Sequence, residues 1–167
     1  MKIVCDSGPL IHLAQVNHFS LLKEFFRELE INQVVFDEVI VEGIGRPGEK
    51  ELRDALSKGW IKVSKLQNQS LIKKIEAEGL SQKDASVIAL AVEKKAGLLI
   101  SDDLLVRKVA SDKGLRIAGT VGILTNARLK GSIPNLKTLL DKLVEQGFRL
   151  DPQGMVYKDA LMKAGEL

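Results

Sequence analysis

Two short apolar runs organise the chain, Ile3-Val4-Cys5 near the start and Leu98-Leu99-Ile100 beyond its middle. Each reads as a buried strand and each emerges at an acid, the first at Asp6 and the second at Ser101-Asp102-Asp103. Gly8-Pro9 after Asp6 is helix-start chemistry, with Leu10, Leu13 and Ala14 as a short apolar stripe. A second helical stripe runs over Phe19–Leu29, and Gln33–Phe36 reads as a strand. For Asp37–Glu42 the spacing of Phe36, Val39, Ile40 and Ile44 predicts a helix with Asp37 as its cap, against the strand preference of its β-branched residues. Gly43–Gly48 reads as a loop, Glu49–Lys58 as a polar helix, Trp60–Val63 as a short edge strand and Leu71–Glu78 as an amphipathic helix.

The strongest helical signal is Ser81–Lys95. Ser81 and Asp84 have capping-box spacing, and Ala85–Val92 is apolar apart from Ser86, so this helix should lie buried against a sheet. Next come a helix over Asp103–Lys113, a strand over Arg116–Ala118, and a Gly-Thr-Val-Gly turn into another helix. A leucine stripe at Leu136, Leu139, Leu140 and Leu143 reads as core, and a last helix falls near Tyr157–Ala164. Helices alternating with short apolar strands predict an α/β domain with a mostly parallel sheet of four to five strands. The expected organisation is one domain over residues 1–167 with a C-terminal helical extension at about 133–167.

Composition narrows the function classes. With 167 residues, 45% hydrophobic and 28% charged, the chain has the balance of an ordinary soluble domain. The formal charge of +3 is too small to indicate a nucleic-acid partner alone, though acids sequestered in one pocket would leave a more basic exterior. Cys5 is the only cysteine, which excludes a disulfide framework and a cysteine-based zinc site. Asp6 interrupts the opening apolar stretch, and no apolar run approaches membrane-spanning length, so a cytoplasmic protein without a membrane partner is expected.

Asp6, Asp84 and Asp102 each sit where a helix begins, and helix capping explains any one of them. Together they suggest more. Asp6 and Asp102 close equivalent strand ends, where open α/β sheets place ligands. Asp84 precedes Ile88 by one helical turn and so faces the sheet. Asp103 follows Asp102, and one cap does not need two acids. Clustered carboxylates repel one another unless a cation neutralises them, and an all-oxygen set favours Mg²⁺ or Mn²⁺. Such centres hydrolyse phosphodiesters. For a fourth acid, Glu42 lies at the margin of the apolar stripe while Glu38 points further toward solvent, so Glu42 is preferred.

The segments Val4-Cys5-Asp6-Ser7-Gly8-Pro9-Leu10-Ile11, Val39-Ile40-Val41-Glu42, Leu80-Ser81-Gln82-Lys83-Asp84-Ala85 and Leu98-Leu99-Ile100-Ser101-Asp102-Asp103 resemble the PIN-domain nuclease family. Gly119-Thr120-Val121-Gly122-Ile123-Leu124 and Ala160–Glu166 look like a prokaryotic subgroup close to VapC-type toxins. The resemblance implies a three-layer fold and cleavage of single-stranded RNA with Mg²⁺ or Mn²⁺. It carries catalysis and metal binding onto Asp6, Glu42, Asp84 and Asp102, with Asp103 as a further ligand. It also implies a homodimer and a small antitoxin partner that blocks the acidic cleft.

Other signals are weaker. Gly43-Ile44-Gly45-Arg46-Pro47-Gly48 spells a dinucleotide-binding pattern, but Pro47 removes a backbone donor and the required acid further on is missing, so it reads as a flexible loop near substrate. His12 and His18 lack partners for a triad and read as structural. Ser7 and Ser101 orient a metal-bound water or form turns. Arg107 and Lys108 read as a solvated face. Two alternatives stay open, a non-catalytic nucleic-acid-binding module whose acids only cap helices, and a Mg²⁺-dependent hydrolase of small phosphoesters.

Overall fold

Five short strands make one sheet, β1 (Ile3–Cys5), β2 (Leu29–Ile31), β3 (Ile61–Val63), β4 (Leu98–Ile100) and β5 (Ile117–Ala118). The computed structural model describes residues 1–150 and 154–167. Residues 151–153 of the expected C-terminal extension therefore lie outside the described residues. Strand order is β3-β2-β1-β4-β5, and every neighbouring pair is parallel. The five-stranded parallel sheet is the α/β architecture that the alternation of elements predicts.

The helices are α1 (Ser7–Gln15), α2 (Leu21–Phe26), α3 (Gln33–Phe36), α4 (Glu49–Lys58), α5 (Ser70–Glu76), α6 (Gln82–Glu93), α7 (Leu104–Asp112), α8 (Thr120–Leu129), α9 (Leu136–Glu145) and α10 (Met155–Lys163). A π-helical turn, Asp37–Val41, continues α3. Among the described residues no helix is long and apolar enough to cross a membrane.

The order of the strands positions the site. Chain progression runs outward from β1 to β2 and β3 on one side, then resumes from β4 to β5 on the other. The join between β1 and β4 is thus a topological switch point, the place where open α/β sheets bind ligands outside the carboxyl ends of their strands. Ile3 pairs with Leu98, Val4 with Leu99 and Cys5 with Ile100. The Asp6 N–H continues the ladder by donating to the Ile100 carbonyl at 2.9 Å. Two acidic strand ends are thereby held side by side.

Val4, Cys5, Leu99 and Ile100 are wholly buried, and α6 lies against both of their strands. Ala85 through Ala91 of α6 are buried without a break. Repeated alanines let the helix axis approach the sheet closely, which fixes Asp84 at the edge of the crevice. The leucine stripe of α9 is core, as its spacing predicts. Helices α9 and α10 pack on each other and on α8. Glu166 ties this end together by accepting from the N–H groups of Leu136 and Lys137 at 2.8 and 3.0 Å and from Arg128 Nε at 3.0 Å.

Two local expectations are corrected. The predicted helix over Phe19–Leu29 stops at Phe26, because Arg27 adopts a φ of +66°, and Leu29 belongs to β2. Leu29 fits a helical stripe and a buried strand equally well; filling the gap between β1 and β3 decides for the strand. Gln33–Phe36 is helical rather than extended. Its β-branched Val34 and Val35 signal a strand, but the Asn32 side chain caps the turn by accepting from the Val35 N–H at 2.9 Å. Asn32, not Asp37, starts the helix that runs into Asp37–Val41.

Candidate metal centre

Asp6 is the innermost acid. It caps α1 through Oδ1, which accepts from the Ser7 N–H at 2.8 Å, while Oδ2 accepts from Ser101 Oγ at 2.9 Å. Ser101 is fully buried and also accepts from the Asp103 N–H at 3.2 Å, so one hydroxyl locks both strand ends together. Burial is the main force pushing the Asp6 carboxyl up, from 3.8 to about 6. Its hydrogen bonds from Ser7 and Ser101 pull it back, and the charges of Asp84 and Glu38 push it up again.

Asp84 stands in the first turn of α6, which Ser81 caps by accepting from the Asp84 N–H at 3.1 Å. Its carboxyl is also raised, first by partial burial and then by the charge of Asp103, with Glu38 adding to the same effect. Four carboxylates, Asp6, Glu38, Asp84 and Asp103, therefore sense one another. Among the described residues none of the cations pairs with Asp6 or Asp84; the nearest approach to the group is Lys83 Nζ, 3.9 Å from Glu38.

Glu38, rather than Glu42, faces this cluster. Glu38 Oε2 accepts from Ser7 Oγ at 2.6 Å, and its side chain is 27% exposed. Glu42 is 60% exposed at the rim, with Lys83 Nζ at 3.8 Å as its nearest cation. The cause is the π-helical turn, closed by the Glu42 N–H donating to the Asp37 carbonyl five residues back. A wider turn holds more residues, so positions fall behind the α-helical register that favours Glu42. Gly43 then lets the chain leave this turn, since a Cβ there would stand 2.4 Å from the Val39 carbonyl oxygen.

The adjacent acids Asp102 and Asp103 lie in different surroundings. Asp102 is turned along the sheet, where Oδ2 meets His12 Nδ1 at 2.7 Å and accepts from Thr120 Oγ1 at 2.5 Å. Its Oδ1 accepts from the Thr120 N–H at 2.7 Å. With a side chain only 11% exposed, Asp102 makes three hydrogen bonds, to His12 and twice to Thr120. Gly119 permits the arrangement, because a Cβ there would lie 2.9 Å from Asp102 Oδ1 and 2.5 Å from the Arg107 guanidinium. Asp103 caps α7 through Oδ1, which accepts from the Val106 N–H at 2.9 Å, and is exposed on the side of Asp84.

Supporting residues complete the frame. Asn32 Nδ2 donates to Ser86 Oγ at 2.9 Å, coupling the start of the Glu38 segment to the helix that carries Asp84. Its capping role was open to sequence reasoning, as asparagine three positions before Val35 is a plain N-cap signal. Thr120, at the carboxyl end of β5, follows the same strand-end logic as Asp6. His12 is structural here, packed edge-on against Phe148 with ring centroids 4.8 Å apart. Arg107 donates to the Ser101 carbonyl at 3.1 Å and so braces the end of β4 rather than lying on a solvated face. The Cys5 thiol is fully buried and pushed well up by that burial, then by the charges of Asp6 and Asp102; it is an inert core group.

Among the described residues no three acidic, histidine or cysteine side chains converge tightly enough to form a ready-made cage. The donor set is nonetheless of one kind, carboxylates around a buried Asp6 that itself pairs with no cation among the described residues. That suits a hard divalent ion that keeps several waters. A family model described as a PIN domain matches residues 2–166, nearly the whole chain. The chain has no match among curated proteins.

Proposed function

This chain belongs to the PIN-domain family, and on that premise we propose that it is a Mg²⁺- or Mn²⁺-dependent endoribonuclease acting on single-stranded RNA. PIN domains are nuclease folds, which makes hydrolase the coarse class. The observation that carries the finer reading is Asp6, a buried carboxyl raised to about 6, among three further acids and without a cationic partner among the described residues. Acids that only capped helices would not need to gather around one buried carboxylate.

In this reading Asp6, Glu38, Asp84 and Asp103 hold the ion. A divalent ion held there would neutralise the cluster and supply Lewis-acid polarisation to the phosphodiester and water. Ser7 and Ser101 fix the two innermost carboxylates by hydrogen bonding, and Ser7 is within reach to orient a water beside Glu38. Asp102 acts as a positioning residue, holding the Ser101–Asp103 turn against Thr120 and His12. Glu42 sits outside the set.

The same reading extends to a cytoplasmic toxin, acting as a homodimer and silenced by a small antitoxin protein that covers the acidic crevice. The test of the activity is a digest of end-labelled single-stranded RNA with Mn²⁺, Mg²⁺ or EDTA. Cleavage that needs the metal is expected. Activity unchanged in EDTA, or hydrolysis of a generic phosphomonoester without RNA cleavage, would overturn the assignment.

A further inference from the structure

Beside the acidic cluster, and sharing Glu38 with it, lies an open groove of about 480 Å³ that Glu42 and Lys83 also line. One wall is α1, contributing Ile11 and Gln15; the other is Val39 with the Gly43–Gly48 loop, contributing Arg46 and Pro47. Two features of this groove have no use within the fold. The Arg46 guanidinium is exposed and has no ion-pair or hydrogen-bond partner among the described residues. Gln15 Oε1 is the one buried side-chain oxygen or nitrogen among the described residues that no donor reaches.

An unfilled buried acceptor is unusual in a folded protein, because its hydration is lost without replacement. Gln15 lines the groove, and the terminal torsion of a glutamine is soft, so its carboxamide can turn to meet an occupant. Between Gln15 and Arg46 the groove presents the apolar surfaces of Ile11 and Pro47, with Val39, itself buried, behind them. Acceptor, apolar floor and free guanidinium match the three parts of a nucleotide: a hydrogen-bond donor, a flat or carbon-rich ring, and a phosphate.

We propose that this groove is a nucleotide subsite next to the scissile position. Arg46 takes the backbone phosphate, and Gln15 accepts a hydrogen bond from a base N–H or the ribose 2′-OH. The inference rests on the ribonuclease reading for the identity of the polymer. It assigns the Gly43–Gly48 loop a role as a phosphate-facing wall that acts through a side chain rather than through backbone donors.

The test is fluorescence anisotropy of labelled oligoribonucleotides and oligodeoxyribonucleotides of each homopolymer base, with the full chain in EDTA so that no cleavage intervenes. Arg46→Ala should weaken binding of every oligomer at least fivefold and flatten the salt slope by about 0.7, the share of one single-strand phosphate. Arg46→Lys should recover part of the loss. Gln15→Leu should leave the salt slope unchanged and reduce either the preference for RNA over DNA, if the 2′-OH is the donor, or the preference among bases, if a base N–H is. Wild-type affinity, salt slope and preferences in both Arg46→Ala and Gln15→Leu would overturn the proposal, as would absence of oligonucleotide binding by the wild type at low salt. If the variants lose binding but the wild type never cleaves RNA with Mn²⁺, the subsite stands and the ribonuclease reading falls. If the wild type cleaves and the variants bind unchanged, the reverse holds.

Discussion

Replacing Asp6 with asparagine should stabilise the metal-free protein. In the folded state the carboxyl is raised from 3.8 to about 6, mainly by burial. The unfolded chain, with the ordinary value, holds fewer protons between those limits. Stability contributed by the neutral carboxyl is therefore complete below about pH 4 and is lost as pH rises through about 6. At about 1.4 kcal/mol for each unit of pKa, ionised Asp6 costs the folded protein about 3 kcal/mol at pH 7 and roughly half of that at pH 5. Asparagine removes this cost and keeps an oxygen for the Ser7 N–H, while the Ser101 hydroxyl loses its acceptor at about 1 kcal/mol. The net gain is about 2 kcal/mol at pH 7 and well under 1 kcal/mol at pH 5, or about 4–8 °C in Tm at the higher pH. Thermal melts of both proteins in EDTA at the two pH values measure it. A variant no more stable than the wild type at pH 7, or a difference that does not change with pH, would refute the reasoning. Adding Mn²⁺ should invert the order, raising the wild type and leaving Asp6→Asn unmoved.

Glu38→Gln should weaken Mn²⁺ binding at least tenfold in isothermal titration, whereas Glu42→Gln should stay within about twofold, an ordinary surface effect; equal losses would return Glu42 to the centre. Thr120→Val keeps the shape of a fully buried side chain but deletes its donor to Asp102, so it should lower stability by about 1.5–3 kcal/mol in urea unfolding and also reduce Mn²⁺ affinity by releasing the Ser101–Asp103 turn. An unchanged midpoint would show that the contact carries nothing. Glu166→Ala removes the acceptor shared by the first N–H groups of α9 and by Arg128, and about 2 kcal/mol of stability should go with it, read as a fall in Tm with unchanged metal affinity.

The parts of the fold legible in the sequence are those where one signal dominates. The runs Ile3–Cys5 and Leu98–Ile100 and the nearly unbroken apolar stretch of α6 admit a single reading, and the parallel sheet follows from their alternation with helices. The region between β1 and β3 was less readable because its signals conflict. Leu29 completes a helical stripe while sitting in a strand, and Val34-Val35 favour a strand while the Asn32 cap makes them a helix. In the candidate site, Asp6 and Asp84 follow from strand-end and helix-face arguments. Choosing between neighbours, Glu38 or Glu42 and Asp102 or Asp103, depends on features that an ideal helical or strand spacing does not show. A π-helical turn shifts the register of the first pair, and Thr120 and His12 claim Asp102 from far along the chain. Local spacing carries no record of either.

The most direct measurement is the single-turnover rate of cleavage of a labelled single-stranded RNA in Mn²⁺, by the wild type, Asp6→Asn and Glu42→Gln side by side. If the cluster around Asp6 is the reaction centre, Asp6→Asn should be slowed by at least about 100-fold, the scale expected for losing a transition-state contact in a water-poor site, while Glu42→Gln should cleave within about threefold of the wild-type rate. Equal rates for the wild type and Asp6→Asn would contradict the account.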